Sequence, residues 1–235
     1  PMGGDALEMV YSCNDLLDYD DFRKAVTRSD VKKVAIIGTG STATQIVATI
    51  TEQVEKLILF QRSAQWIYPL FDRTYTEKDK QRLRTTPGLT KKIRDRYQMA
   101  FNQFFPKLVT GNKLVQWIVS WQCKRNLESK VKDPVLREKL KPNFQAGCKR
   151  LIIANGFYEA MQRDNAELVT EGIARIEPKG IRTADGKLHE CDVIVLATGF
   201  YAHNFMRPMA MTGINGLTLD DAWSQGAFAH KTVTV

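Results

Sequence analysis

Six residues, Gly38-Thr39-Gly40-Ser41-Thr42-Ala43, close the apolar run "KKVAIIG" and match the pattern G-x-G-x-x-A. Gly38 permits a tight turn, Gly40 lets backbone N–H groups approach a pyrophosphate, and Ala43 lets a following helix pack closely on the strand. A phosphate would then lie at the positive end of that helix, where unpaired N–H groups point at it. An isolated glycine motif is often no more than a structural turn. Here a strand, a loop, a helix and a second strand follow in order, which favours a dinucleotide site.

The end of the second strand decides which nicotinamide cofactor fits. An NAD site carries Asp or Glu about 20 residues beyond the glycines, to bind the ribose hydroxyls. In this chain the run "KLILFQR" leads instead into Gln61-Arg62-Ser63. The acid is missing and a cation is present, so Arg62, bidentate and always charged, suits a ribose 2′-phosphate. NADPH is therefore favoured over NADH. Without the glycine loop, Arg62 would read as an ordinary surface arginine.

These residues need a scaffold, and the pattern supplies one. Lys32 to Gly38 is expected to be a strand buried on both faces of a parallel sheet. A helix from about Thr42 to Glu52 and a second strand at Lys56 to Arg62 complete one βαβ unit of about 30 residues. Residues 1–31, with the acidic stretch "YSCNDLLDYDDFRKAV", read as a lead-in loop and one short helix. Residues 70–141 are Lys/Arg/Gln/Leu-rich and read as a helical insertion broken at "TTPG" and "VTGN". It holds Tyr97, Phe101, Phe104, Phe105, Trp117 and Trp121, for which packing inside the helical layer is expected ahead of a docking surface or cavity wall. Residues 142–199 return to strand, short helix and strand, with a hairpin turn at Asp185-Gly186 and a last strand over Val193 to Ala197. Residues 200–235 are loop-rich. The fold class is α/β: a Rossmann-like domain with a central parallel sheet, a β-hairpin or meander and a helical insertion.

Composition narrows the alternatives. The net charge of +8 arises largely between Arg73 and Arg96, where nine Lys/Arg oppose Glu77, Asp79 and Asp95. No stacking or recognition module accompanies that patch, so a solvated helical face is expected rather than a nucleic-acid site. Cys13, Cys123, Cys148 and Cys191 are far apart, with no metal-ligand spacing, and are expected to be free thiols. No apolar run reaches a membrane span and no signal-peptide order is present, so a cytoplasmic protein is expected.

Five strings together, "VAIIGTGSTA", "QRSAQWIYP", "GCKR" followed by Tyr158, "RDNAELV" and "DVIVLATGF", resemble the NADPH-domain segment of flavin-containing and Baeyer–Villiger monooxygenases. The resemblance implies an FAD domain interrupted by an NADPH domain. NADPH then reduces the flavin, oxygen adds to give a peroxyflavin, and that species oxygenates a ketone or another small organic substrate. It further implies that Lys149 contacts the 2′-phosphate and that Arg150 stabilises the anionic peroxide, a fixed cation aimed at developing charge. Thr198 and Gly199, in "ATGF", would lie at the crossing back to the FAD domain, near the flavin.

The departures carry equal weight. Residues 1–31 contain Gly3-Gly4 but no FAD-type glycine loop, and no His precedes His189, so the fingerprint F-x-G-x-x-x-H-x-x-x-W is not met. The flavin-covering C-terminal part that the resemblance implies is not expected within residues 200–235. The expectation is an NADPH-binding portion that does not hold FAD securely alone, with self-association or a partner chain supplying FAD-domain surface. The alternative is a catalytically incomplete NADP(H)-binding or interaction module derived from that family.

Overall fold

The structure is a computed structural model, and it describes residues 10–12, 31–70, 72–200, 209–230 and 233–234. The chain divides into two compact units, residues 1–198 and 199–235.

The first unit is built on β1 (Val10–Ser12), β2 (Lys33–Ile37), β3 (Lys56–Phe60), β6 (Ala166–Val169) and β10 (Val193–Leu196), an all-parallel sheet in the order β1-β10-β2-β3-β6. The βαβ unit falls where the sequence places it, with α1 at Ser41–Ile50 between β2 and β3. The lead-in reading of residues 1–31 needs a correction: Val10–Ser12 forms an edge strand pairing with Ile194–Leu196. The short helix expected there lies outside the described residues.

The central strands β10, β2 and β3 are buried on both faces, which explains the unbroken apolar runs. Val34, Ile36, Leu57, Leu59, Val193 and Val195 pack on one side against Ala43, Ile46, Val47 and Ile50 of α1 and against Phe157, Tyr158 and Ala160. The last three belong to α6 (Phe157–Ala160). Ala35, Ile58, Phe60 and Ile194 point the other way and meet Ile181 and Cys191. Ile181 belongs to an antiparallel meander of β7 (Ile173–Glu177), β8 (Gly180–Thr183) and β9 (Leu188–Glu190), whose second turn holds Asp185-Gly186.

Residues 70–141 contain four helices: α2 (Glu77–Thr85), α3 (Leu89–Val109), α4 (Lys113–Lys130) and α5 (Pro134–Lys139). The breaks are at Gly88, in the left-handed conformation, and at Asn112, whose side chain accepts from Val115 N. The basic α2 buries no residue; it is held by a capping box between Thr76 and Asp79, whose carboxyl Arg73 and Thr76 keep below the usual range. Leu108, Val119 and Cys123 of α3 and α4 pack on Ala146, Trp66 and Tyr68. That cluster covers a small parallel pair, β4 (Ile67–Tyr68) and β5 (Ile152–Ile153).

The aromatic residues of this layer depart from expectation. Phe104 joins the Leu108 cluster and Phe105 stacks on Phe101, but Tyr97, Phe101, Trp117 and Trp121 are 62%, 52%, 63% and 47% exposed. Packing within the layer therefore accounts for only part of the aromatic content. No described helix is long and apolar enough to cross a membrane.

The second unit contains α7 (Leu219–Ala222), capped by the Thr218 hydroxyl, and the antiparallel pair β11 (Ala229–His230) and β12 (Val233–Thr234). The Trp223 indole donates to Phe228 O at 3.1 Å.

Candidate functional site

The parallel sheet brings the glycine loop, the end of β3 and the end of β10 to the carboxyl edge of neighbouring strands, where open α/β sheets bind ligands. Ile37 pairs with Phe60 on one side and Leu196 on the other, Gly38 N donates to Phe60 O at 3.1 Å, and Ala197 N donates to Ile37 O at 2.9 Å. Gly38 is left-handed (φ 117°), and a Cβ there would meet Ala197 O at 2.3 Å. Only glycine fits where the chain passes so close to β10.

Gly40 serves differently. Its backbone is extended (φ −74°, ψ −173°), so conformation does not demand glycine, and a Cβ there would have no neighbour within 4 Å. The open space lies at the start of α1, where no side chain caps the helix. The first helical bond, Thr44 N to Gly40 O at 3.0 Å, leaves the preceding N–H groups available to an anion. Ser41 is exposed, Thr42 half-buried, and Ala43 wholly buried against the sheet.

The Thr39 hydroxyl donates to Ser63 O at 2.8 Å and so pins the segment after β3 to the glycine loop. Thr39 and the Ser63 carbonyl thereby act as structure. Between them the chain presents Arg62, which is exposed and makes no ion pair or side-chain hydrogen bond among the described residues. Gln61 fills the place where an acid would bind ribose hydroxyls. It is buried, and its side-chain amide donates to Lys139 O at 2.7 Å, tying the end of α5 to the end of β3.

Lys149 and Arg150 stand on the loop leading into β5. β4 and β5 are parallel (Ile67 beside Ile152), so this loop and the segment after Ser63 enter the small sheet from the same end. Both cations are exposed; Lys149 Nζ lies 4.4 Å from the centroid of the Phe144 ring, and Arg150 has no partner among the described residues. No hydrogen bond or ion pair joins either cation to the glycine loop. Thr198 is exposed directly after β10. Gly199 opens the second unit and is left-handed (φ 95°).

Trp66 escaped sequence reasoning. Its indole N–H donates to Phe144 O at 2.6 Å. A half-buried indole needs an acceptor, which is the one signal the sequence offered. The described cysteines are free; burial pushes the Cys123 and Cys191 thiols up to about 12, so both are inert.

The fold and loop define a Rossmann-type α/β protein. No family model matches the chain. Its relatives include an uncharacterised monooxygenase of Mycobacterium tuberculosis, 41% identical over 92% of this chain and 45% of that protein. Others are Baeyer–Villiger monooxygenases of Pseudomonas aeruginosa (35% identical; 86% of this chain, 38% of that one) and Streptomyces coelicolor (33%; 85% and 38%). A crystal structure of an OTEMO complex with FAD and NADP superimposes with a TM-score of 0.76 at 26% identity, over 97% of this chain and 50% of that one. An open cyclohexanone monooxygenase shares the fold (TM-score 0.76, 23% identity, 97% and 50% covered). The chain thus resembles a segment of flavin-dependent, Baeyer–Villiger-type monooxygenases, and it spans less than half the length of the curated relatives it matches.

Proposed function

We propose that the chain is the NADPH-binding portion of a flavin-dependent, Baeyer–Villiger-like monooxygenase that oxygenates a ketone or another small organic substrate. Residues 32–69 and 142–199 form the cofactor domain, 70–141 the helical insertion, and 200–235 the return towards an FAD domain. The carrying observation is the uncapped start of α1 at an open Gly40, beside Arg62, which has no partner among the described residues and lies on the segment that the Thr39–Ser63 hydrogen bond pins to the glycine loop.

The residues fit NADPH. The N–H groups of Ser41, Thr42 and Ala43 would hold the pyrophosphate, and Arg62 and Lys149 would supply the cations for the 2′-phosphate. Thr198 and Gly199 follow the neighbouring strand end, on the flavin side. When bound, NADPH supplies the hydride that reduces flavin. Arg150, exposed and without a partner among the described residues, would present its cation to negative charge developing during oxygen transfer. The described residues hold one glycine loop, which fits one dinucleotide, so the flavin's own contacts fall to other residues.

Titration of the chain with NADPH and NADH tests the reading. Arg62→Ala should weaken NADPH about 10-fold or more, as loss of a charge-assisted hydrogen bond does, and leave NADH unchanged. Equal weakening of both overturns the 2′-phosphate assignment. The exposed Tyr97, Phe101, Trp117 and Trp121 favour a second reading, an NADP(H)-binding interaction module that docks a partner chain. A purified chain that is yellow and consumes NADPH and oxygen with a ketone would exclude it.

A further inference from the structure

We propose that Trp66 and Phe144 are positioning residues that set the preference for NADPH over NADH. Trp66 fixes the backbone at Phe144, and the Phe144 ring seats the ammonium of Lys149. The inference rests on the reading that Lys149 faces the ribose 2′-phosphate.

The chain of contacts is short. Trp66 packs into both the sheet core and the α3–α4 cluster, so its indole is a rigid anchor. It donates to Phe144 O at 2.6 Å, across 78 residues of sequence. From Phe144 the backbone makes a closed turn: Cys148 N donates to Gln145 O at 3.1 Å, and Gly147 is left-handed (φ 94°) with Leu108 Cδ1 only 2.9 Å from where a Cβ would be. That turn returns Lys149 over the ring of Phe144, with Nζ 4.4 Å from its centroid.

A lysine ammonium on a free four-carbon stem loses much rotamer freedom when it grips a phosphate. A ring that already holds the ammonium removes part of that cost before the ligand arrives. The ring face occupies one side of the ammonium, whose three N–H groups leave donors for phosphate oxygens. The same segment that anchors the seat carries the other cation. Arg62 begins it, Ser63 pins it to the glycine loop through Thr39, and Trp66 ends it. Both cations are thereby referred to one backbone segment at the pyrophosphate loop. NADH, lacking the 2′-phosphate, does not sense the seat.

The experiment is fluorescence titration of the chain with NADPH and with NADH, for wild type, Lys149→Met, Phe144→Leu, Phe144→Tyr, Trp66→Phe and the Phe144→Leu/Lys149→Met double variant. Lys149→Met should lower the NADPH:NADH affinity ratio about 10-fold. Phe144→Leu should lower it about two- to five-fold, with NADH affinity unchanged. Trp66→Phe should act in the same direction, and Phe144→Tyr, which keeps the ring, should restore the wild-type ratio. In the Lys149→Met background, Phe144→Leu should have no further effect on the ratio, since the two act as one unit. If Lys149→Met lowers the ratio and Phe144→Leu does not, the seat is overturned while the Lys149 reading stands. If Lys149→Met leaves the ratio unchanged, the Lys149 reading fails and the seat with it. Equal loss of both dinucleotides in Phe144→Leu and Trp66→Phe marks a purely structural role and overturns the proposal.

Discussion

The parallel sheet and the helical stretch between Leu70 and Lys141 solve burial in opposite ways. In the sheet the inner positions of the central strands find cover on both faces: Val34, Ala35, Ile36, Leu57, Ile58 and Leu59 are all wholly buried, alternately under α1 and under the meander. On α3 and α4 only one seam is covered, at Leu108, Val119, Cys123 and Leu127, while Tyr97, Met99, Trp117 and Trp121 face solvent. The sheet is a finished core that positions a site, and the helices are a half-covered layer attached to it. Stability should accordingly be concentrated in the first and nearly indifferent to exposed positions of the second.

The sharpest way to break that contrast is at Gly38. Gly38→Ala places a Cβ against the Ala197 carbonyl, a backbone atom that cannot step aside, at a φ that L side chains rarely adopt. We expect a loss of about 3–5 kcal/mol, read as a fall in Tm, and no dinucleotide binding. Next comes Leu59→Ala, which empties space between β3 and α1 and should cost about 2–5 kcal/mol in denaturant unfolding. A cost below about 1 kcal/mol would show that the sheet core is looser than its burial indicates.

What was legible in the sequence follows the same divide. Strands buried on both faces are continuous apolar runs, and a glycine loop between two of them fixes the βαβ order, so β2, α1, β3 and β10 were readable to within two or three residues. The edge strand at Val10–Ser12 was not, because its pairing with Ile194–Leu196 spans most of the chain and three residues carry no period. Amphipathic spacing announced the helices but not which faces find a neighbour, which is why Trp117 and Trp121 proved exposed. In the candidate site, Gly38, Gly40, Ala43 and Arg62 are local signals. The Gln61–Lys139 and Trp66–Phe144 hydrogen bonds each join residues 78 positions apart, and only the fold discloses them.

A smaller test addresses how the meander is fastened to the sheet. Glu167 on β6 takes ion pairs from Lys56 on β3 and Lys187 beyond the hairpin turn, with His189 Nδ1 at 3.3 Å. Burial opposes its ionisation, but the two lysines outweigh burial and hold the carboxyl down at about 2, against an ordinary 4.5. A carboxyl lowered by folding stabilises the native state above its unfolded value and loses that contribution as pH falls towards its folded one. Wild type should therefore exceed Glu167→Gln by about 1–2 kcal/mol near pH 7. The difference should close between about pH 5 and pH 2. A gap that stays constant across that window would mean the carboxylate's charge contributes nothing.

The smallest expected effect is the most informative about the helical layer. Trp117→Ser removes a side chain that is 63% exposed and makes no ring contact among the described residues, so stability should change by less than about 0.5 kcal/mol. The same holds for Trp121→Ser, whose ring has the Arg125 guanidinium 5.2 Å from its centroid. A loss of about 2 kcal/mol or more at either position would mean the face is covered in solution. If a second copy of the chain is the cover, Tm rises with protein concentration, because a partner that binds only the folded state stabilises it by mass action. A concentration-independent Tm with unchanged stability keeps the layer as described: helices anchored along one seam to Trp66 and Tyr68, with their outer aromatic face in water.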